Sequence, residues 1–438
     1  MRSTNYPGER PDGQELSEVE AMEEQRLRAL RRELDMFVSR FDDCIKTVPS
    51  RQHMRTYVGG QVGGLERKNV AAIALDARVP PRSLQEFLAI HRWDEEAVRE
   101  RVQEIVARDH GNPNAIAVID ETGFSKKGDK TAGVQRQYCG ATGKIDNCVV
   151  SVHLGYVGGD FHALLAADVY LPEAWLEDRA RCREAGIPEA VVYRPKWRIA
   201  LDLLQQTVGN GVALKYLTAD EEYGRCGSFR AEVDALGLLY VVEVPCDLTG
   251  WTQRPRVIEP PASSTGVGRP QTRPHLAAGA APPRRVDRLW KRGGPSWRGF
   301  HVKDTQKGPV VWEARTTRFS PWTQGGLPGS ELWLGVARNV LDGEVKYFLS
   351  NAAADTPVEV LLHAAFSRDH VEKLFEESKG EVGLDHFEVR GYRAVQRHLV
   401  LSMVSLLFLA EQTEPLRGEK SVVEPLRGPS GHRSATGP

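Results

Sequence analysis

Residues 115–120, Ala-Ile-Ala-Val-Ile-Asp, and residues 212–220, Val-Ala-Leu-Lys-Tyr-Leu-Thr-Ala-Asp, share one grammar: a short apolar, β-rich run closed by an aspartate. Between them lie two more strand-like runs, NCVVSVHLGYV (147–157) and FHALLAADVYL (161–171), and a helix-like segment, WRIALDLLQQTV (197–208). A second helix-like segment (228–236) and a fifth run, LGLLYVVEVP (236–245), follow. The order is therefore β-β-β-α-β-α-β. Gly140 to Gly143 and Gly158-Gly159 are hairpin signals, which suit antiparallel pairing of the first three strands, while the intervening helices suit parallel pairing of the later ones. The expectation is a mixed α/β sheet whose first and fourth strands are parallel neighbours. Asp120 and Asp220 would then sit side by side at the C-terminal mouths of those strands, where two carboxylates repel and a divalent cation relieves the repulsion. The plainer alternative makes each aspartate a strand-end turn former or a helix N-cap.

Outward from this centre, residues 16–112 read as a helical region, with Leu27, Leu30, Leu34, Phe37 and Phe41 near a 3.6-residue period, and residues 1–15 as a flexible N-terminus. Residues 113–245 form the first part of the core. Residues 246–340, rich in Pro, Gly and Arg, read as a basic β-rich insertion, with GVGRPQTRPHLAAGAAPPRR (266–285) poorly ordered in part. Residues 341–412 return to the core, with one helix from about 357 to 379 and an apolar helix from about 393 to 410. Residues 413–438 repeat EPLRG and read as a disordered tail.

The 438 residues carry 58 Lys and Arg against 59 Asp and Glu, a net charge of −1, but the average hides an uneven distribution. Residues 251–310 hold twelve Lys and Arg and three acids, a net of +9, which leaves −10 for the remainder. A basic block set into an acidic protein points to a polyanion contact through residues such as Arg284, Arg285, Arg288 and Arg292. Six cysteines without a C-x-x-C pair indicate neither a disulfide scaffold nor a zinc module. The polar N-terminus is not expected to direct export, and the apolar run at 399–410 is about half the length that crosses a bilayer. A cytoplasmic protein without membrane contact is the expectation. No G-x-S-x-G and no phosphate-binding glycine loop is present, which argues against a serine hydrolase and against nucleoside triphosphate chemistry.

A third acid can come from the helix near 370. Val371, Leu374, Phe375 and Ser378 mark its buried face, so Glu372, Glu376 and Lys379 share the flank beside it. The ordinary reading of such a flank is a solvated face. Glu372 and Glu376 are like charges four residues apart, which disfavours a helix unless a cation lies between them.

The strings VIDETGFSKKGDKTAGVQRQYCG (118–140), LTADEEYG (217–224) and RDHVEKLFEESKGEVGLDHFEVR (368–390) resemble the signature regions of DDE transposases of bacterial insertion sequences, over roughly residues 25–410. The resemblance implies an RNase H-like mixed β-sheet catalytic core, an N-terminal helical domain and a β-rich insertion domain that contacts transposon-end DNA. It implies Asp120, Asp220 and Glu372 as catalytic residues holding two Mg2+ ions, with Mn2+ as substitute. Arg368 and Lys379 would be phosphate contacts within a Y-x2-R-x3-E-x6-K pattern. Ala365 stands where that pattern has its tyrosine, and Asp369 where an aromatic residue is expected. The implied partners are double-stranded DNA, both terminal inverted repeats and target, and a second copy of the chain when two ends are held, in the cytoplasm with the nucleoid. Arg51, Arg55, Arg67 and Lys68 are candidate phosphate contacts of the N-terminal region, Arg390 and Arg393 add two more beyond the catalytic helix, and Trp251, Trp290, Trp297, Trp312 and Trp322 are candidates to stack on a base. Two other readings stay open: an inactive DNA-binding derivative, and a metal nuclease of the same fold without strand transfer.

Overall fold

A computed structural model describes residue 25 and residues 28–260, 272–290, 295–305, 308–413 and 424–425. The expected flexible N-terminus, nearly all of the expected disordered tail, residues 266–271 of the Pro/Gly/Arg segment, Leu27 and Arg292 lie outside the described residues.

Helical residues 28–39 (α1) lead into α2 (Val48–Val62), α3 (Val70–Asp76), α4 (Pro81–Ala89) and α5 (Glu95–Asp109). Thr47, Asn69 and Asp94 supply side-chain caps to α2, α3 and α5, satisfying amide groups that a helix start leaves unpaired. The core sheet then begins: β1 (Ile116–Ser125), β2 (Gln135–Cys139), β3 (Lys144–Gly158) and β4 (Phe161–Tyr170). After the short helices α6 (Glu173–Glu177) and α7 (Arg179–Glu184) come α8 (Lys196–Gly209), β5 (Tyr216–Ala219), α9 (Glu221–Gly224), α10 (Gly227–Ala235) and β6 (Leu239–Val244). Spatially the strands run β4-β3-β1-β5-β6, the first three antiparallel and β1, β5 and β6 parallel. This is the RNase H-like arrangement, with helix crossovers where parallel pairing demands them.

The insertion does not close into a sheet of its own. It contributes β7 (Thr249–Trp251), the small β8 (Val257–Ile258) and β9 (His275–Leu276) pair, β10 (Arg284–Arg285), β11 (Arg298–Thr305), β12 (Gly308–Pro321) and β13 (Leu332–Asn339). The next strand, β14 (Val345–Ser350), pairs with both β13 and β6, so the core sheet continues into the insertion without a break.

The helix expected at 357–379 is two helices, α11 (Val358–Phe366) and α12 (Asp369–Gly380), broken at Ser367-Arg368. Hydrophobic periodicity does not register such a break, because the apolar face resumes after it. On α12 the buried residues are Val371, Leu374, Phe375 and Ser378, the expected set. Gly155 on β3 lets the helix approach: a Cβ there would lie 3.3 Å from a Leu374 methyl.

The last long helix, α13 (Tyr392–Thr413), is longer than expected; by length and composition alone its 22 residues would reach across a membrane, yet 83% of its apolar window is buried inside the protein. The final described strand, β15 (Glu424–Pro425), pairs with β11. Helix α13 joins the N-terminal helices to the core. Tyr57 and His398 hydrogen-bond at 2.9 Å, Gln61 bridges Ser402 and Ser405, and Arg397 reaches the last turn of α4 and the chain that follows it.

Candidate active site

Register places the acids. Strand β1 pairs with β5 up to Ile119 and Ala219, and β5 pairs with β6 through Leu217 and Tyr240. Carried onward, Asp120, Asp220 and Glu243 occupy successive places across three parallel strands. Asp120 is not at the end of its strand as expected. Strand β1 continues to Ser125 against β3, and Asp120 marks where it outruns β5. Asp220 ends β5 and caps α9, accepting the Glu222 amide at 2.9 Å. Gly224 lets α9 lie directly on β6, since any Cβ there would collide with the Glu243 carbonyl.

Arg368 closes the row. Standing at the break between α11 and α12, it donates to Asp120 at 3.2 Å and to Glu243 at 3.2 Å. Burial pushes the Asp120 carboxyl up to about 6, with Asp220 and Glu121 adding repulsion that the guanidinium only partly offsets. Asp220 is raised by burial and by Glu121, and Glu243 by burial despite Lys346 and Arg368. Desolvation opposes the charge on Arg368, but the attraction of Asp120, Asp220 and Glu243 outweighs it and raises its pKa. Arg368 therefore serves all three crowded carboxyls, and Lys346 adds a second cation beside Glu243 at 3.6 Å.

Neighbouring polar groups brace this centre. Glu121 ion-pairs with Lys196 at 2.6 Å and accepts the buried Tyr223 hydroxyl at 2.7 Å. His153, the register partner of Asp120 on β3, is fully buried; desolvation and then Lys379 hold its pKa down to about 3.

Thus the structure brings Asp120, Asp220 and Arg368 together. It does not bring Glu372 to them: this side chain is exposed, one helical turn beyond Arg368 on the same flank of α12. Among the described residues no three His, Cys, Asp or Glu side chains are grouped to hold an ion. Lys379 is half-buried near His153 and Asp385. Arg284 and Arg288 are exposed, while Arg285 is tied to Asp287 at 3.0 Å.

Lys68 needs correction as a phosphate contact. It is buried, and its ammonium is spent on the carbonyls of Gln61, Gly63 and Glu381, which a buried amine requires. Arg55 is paired with Asp42 and Arg51 with the Ile45 carbonyl, while Arg67 is exposed. Beyond α12, Arg390 is exposed and Arg393 lies 3.7 Å from Glu95. Of the five tryptophans, Trp251 and Trp312 are buried, Trp290 and Trp297 lie under Arg315, and Trp322 is 45% exposed. Sequence reasoning missed Glu243; its signal was a lone acid inside the apolar strand Leu-Tyr-Val-Val-Glu-Val.

An RNase H-like sheet with aspartates at neighbouring places on β1 and after β5 defines a nuclease-type core. A family model described as DDE superfamily endonuclease matches residues 40–309, and the chain belongs to that superfamily. Over 190 residues it is 34% identical to a probable transposase for insertion sequence element IS701 of Microchaete diplosiphon, covering 42% of this chain and 46% of the relative. The match thus spans just under half the length of that relative. Endonucleases of this superfamily generally use divalent metal ions.

The residues present fit such an ion in part. Asp120 and Asp220 are hard oxygen donors, desolvated and mutually repelling, with Arg368 in the position of a compensating cation. Arg368→Gln is expected to lower stability by about 1–2 kcal/mol in chelator-treated protein, because the carboxyls lose that cation, and added Mn2+ should restore most of the loss. Melting curves with and without Mn2+ check this; a variant indifferent to Mn2+ would exclude Arg368 as the charge substitute.

Proposed function

We propose that the protein is an insertion-sequence transposase, cutting DNA at transposon ends and joining the freed 3′ ends to target DNA. The observation that carries this reading is the register of Asp120 beside Asp220 on an RNase H-like sheet in a DDE superfamily chain. Asp120 and Asp220 would hold Mg2+, or Mn2+ in its place, with Glu372 as the third donor once Arg368 yields. Two such ions would activate water and steady the leaving oxygen in phosphodiester displacement. The chain's own residues do the rest: Arg368 and Lys379 orient phosphates beside the acids, and buried His153 and Tyr223 keep the floor of the site rigid. Double-stranded DNA is the substrate, a second copy handles the second end, and the setting is the cytoplasmic nucleoid.

The decisive experiment incubates purified protein with a DNA fragment carrying its own gene and flanks, with and without Mg2+, and maps breaks on a denaturing gel. Metal-dependent breaks at matched positions on both sides support the reading, and joined products distinguish transposition from simple hydrolysis. The rival reading, an inactive DNA-binding derivative, draws on Ala365 and on the exposed Glu372. Binding without breaks in either Mg2+ or Mn2+ would favour it.

The basic insertion contributes end binding in this reading. Reversing Arg284 and Arg288 to Glu should weaken DNA affinity and flatten its salt dependence by up to about one unit of slope per lost phosphate contact. An unchanged slope would make these arginines a solvated edge.

A further inference from the structure

Strands β2 and β3 form a two-stranded ribbon that runs on past the core. At its end Tyr138 and Ile145 face each other as direct cross-strand partners, 67% and 62% exposed. Such a pair normally stabilises a ribbon by burial. Nearer the core the same alternation is covered: Phe124 packs edge-on against Phe387, and Lys126 lies over the Phe387 ring. The cover stops before Tyr138.

The surroundings of this bare pair are cationic. Residues 125–148 hold five Lys and Arg and two Asp, a net of +3 in a chain of −1. Arg136 pairs across to Asn147, two places from Tyr138 on the same face, and Lys144 adjoins Ile145. Both are exposed, as is Lys127, and none of the three has an ion-pair partner within 4 Å among the described residues. The nearby acid, Asp146, accepts the Ser125 hydroxyl at 2.9 Å.

Placement ties the ribbon to the acids. Ile145 lies eight residues along β3 from His153, the register partner of Asp120, and even spacing puts both on one side of the strand's alternation. Eight residues at about 3.3 Å span about 26 Å, or about eight base pairs of a duplex lying along the ribbon. The major groove admits a two-stranded ribbon, and an apolar wedge flanked by cations suits DNA. An uncharged protein surface would leave the net charge without a partner, and self-association is one outcome of the test below.

We propose that the β2–β3 ribbon is a DNA-gripping arm, with Tyr138 and Ile145 against the groove and Lys127, Arg136 and Lys144 on its phosphates. This rests on the reading above, since the duplex gripped is the one presented to Asp120 and Asp220. The test uses the full chain carrying Asp120→Asn, which should bind without cutting, and a fluorescein-labelled duplex a few tens of base pairs long. Tyr138→Ala should weaken binding about tenfold and Tyr138→Phe should retain it, with unchanged circular dichroism, because the side chain supports no core. Arg136→Ala with Lys144→Ala should reduce the salt slope by about two units. If Asp120→Asn protein binds the duplex and both sets of variants bind it equally, the arm is refuted while the nuclease reading stands. If Asp120→Asn protein binds no DNA, the nuclease reading fails first. A variant that loses self-association by sedimentation but keeps full DNA affinity would assign the ribbon to a second copy of the chain and overturn the proposal.

Discussion

Asp120→Asn is expected to reduce metal-dependent DNA cleavage by at least about a thousandfold, a barrier increase of about 4 kcal/mol, while leaving DNA affinity within a few-fold of wild type. The carboxylate contributes a hard oxygen that an amide replaces poorly, and its geometry is supplied by β1 and β3, which the substitution leaves alone. A variant cutting at the wild-type rate would remove Asp120 from the chemistry. The same substitution has an independent signature in stability. Burial raises this carboxyl to about 6, so between about pH 4 and 6 the folded chain keeps a proton that the unfolded chain has released. Stability therefore falls as pH rises through that window and stays lower above it. Asn carries no such penalty: without metal, the variant should be the more stable protein at pH 8, by up to about 2–3 kcal/mol, and should lose the advantage at pH 4. Urea denaturation at the two pH values checks both the sign and the window. An unchanged pH profile would mean that Asp120 is solvated.

Arg397→Ala should be the most damaging substitution away from the acids. Arg397 is 1% exposed in the middle of α13, with its guanidinium donating to the carbonyls of Phe87, Leu88 and Trp93 and to Glu95, and lying over the Trp93 ring. Burial lowers its pKa, but an arginine stays charged, so these partners are what make the burial tolerable. Alanine would take this donor from the Leu88 and Trp93 carbonyls, while the Phe87 carbonyl keeps the Trp93 indole N–H at 2.9 Å, and would leave a cavity between α13 and the α4–α5 connection. The expected loss is about 3–5 kcal/mol, a large share of what a domain possesses. Because the site joins residues 87–95 to α13, the N-terminal helices should loosen first, which hydrogen exchange would register as early loss of protection in α4 and α5. A loss below about 1 kcal/mol would show that Arg397 merely fills space.

The contrast between Asp120 and Glu243 shows how far local reading reaches. Asp120 was legible because it closes an apolar run, and the same pattern at Asp220 made the pair visible. Glu243 interrupts an apolar run in the same way, but its relevance depends on β6 lying next to β5, a pairing between segments that share no local signal. Arg368 was readable as a motif residue. Its role as the cation between two strands was not, because that depends on the helix breaking at Ser367-Arg368, and the apolar period on either side of the break is uninterrupted. Lys68 went the other way: exposed by composition, it is buried among carbonyls that two separate segments present to it, the end of α2 and Glu381.

Periodicity along the chain determined the mixed character of the sheet, the succession of its core elements apart from β2, the two aspartates and the buried face of α12, since each follows from alternation or helical spacing within about twenty residues. The tertiary structure decided what depends on distant neighbours: the row that runs from Asp120 to Glu243, the guanidinium that lies against those carboxyls, the continuity of the insertion with the core sheet, and the ribbon end left uncovered. Burial and electrostatic compensation are properties of a surrounding, and a surrounding is assembled from segments hundreds of residues apart, so no single stretch of sequence carries them.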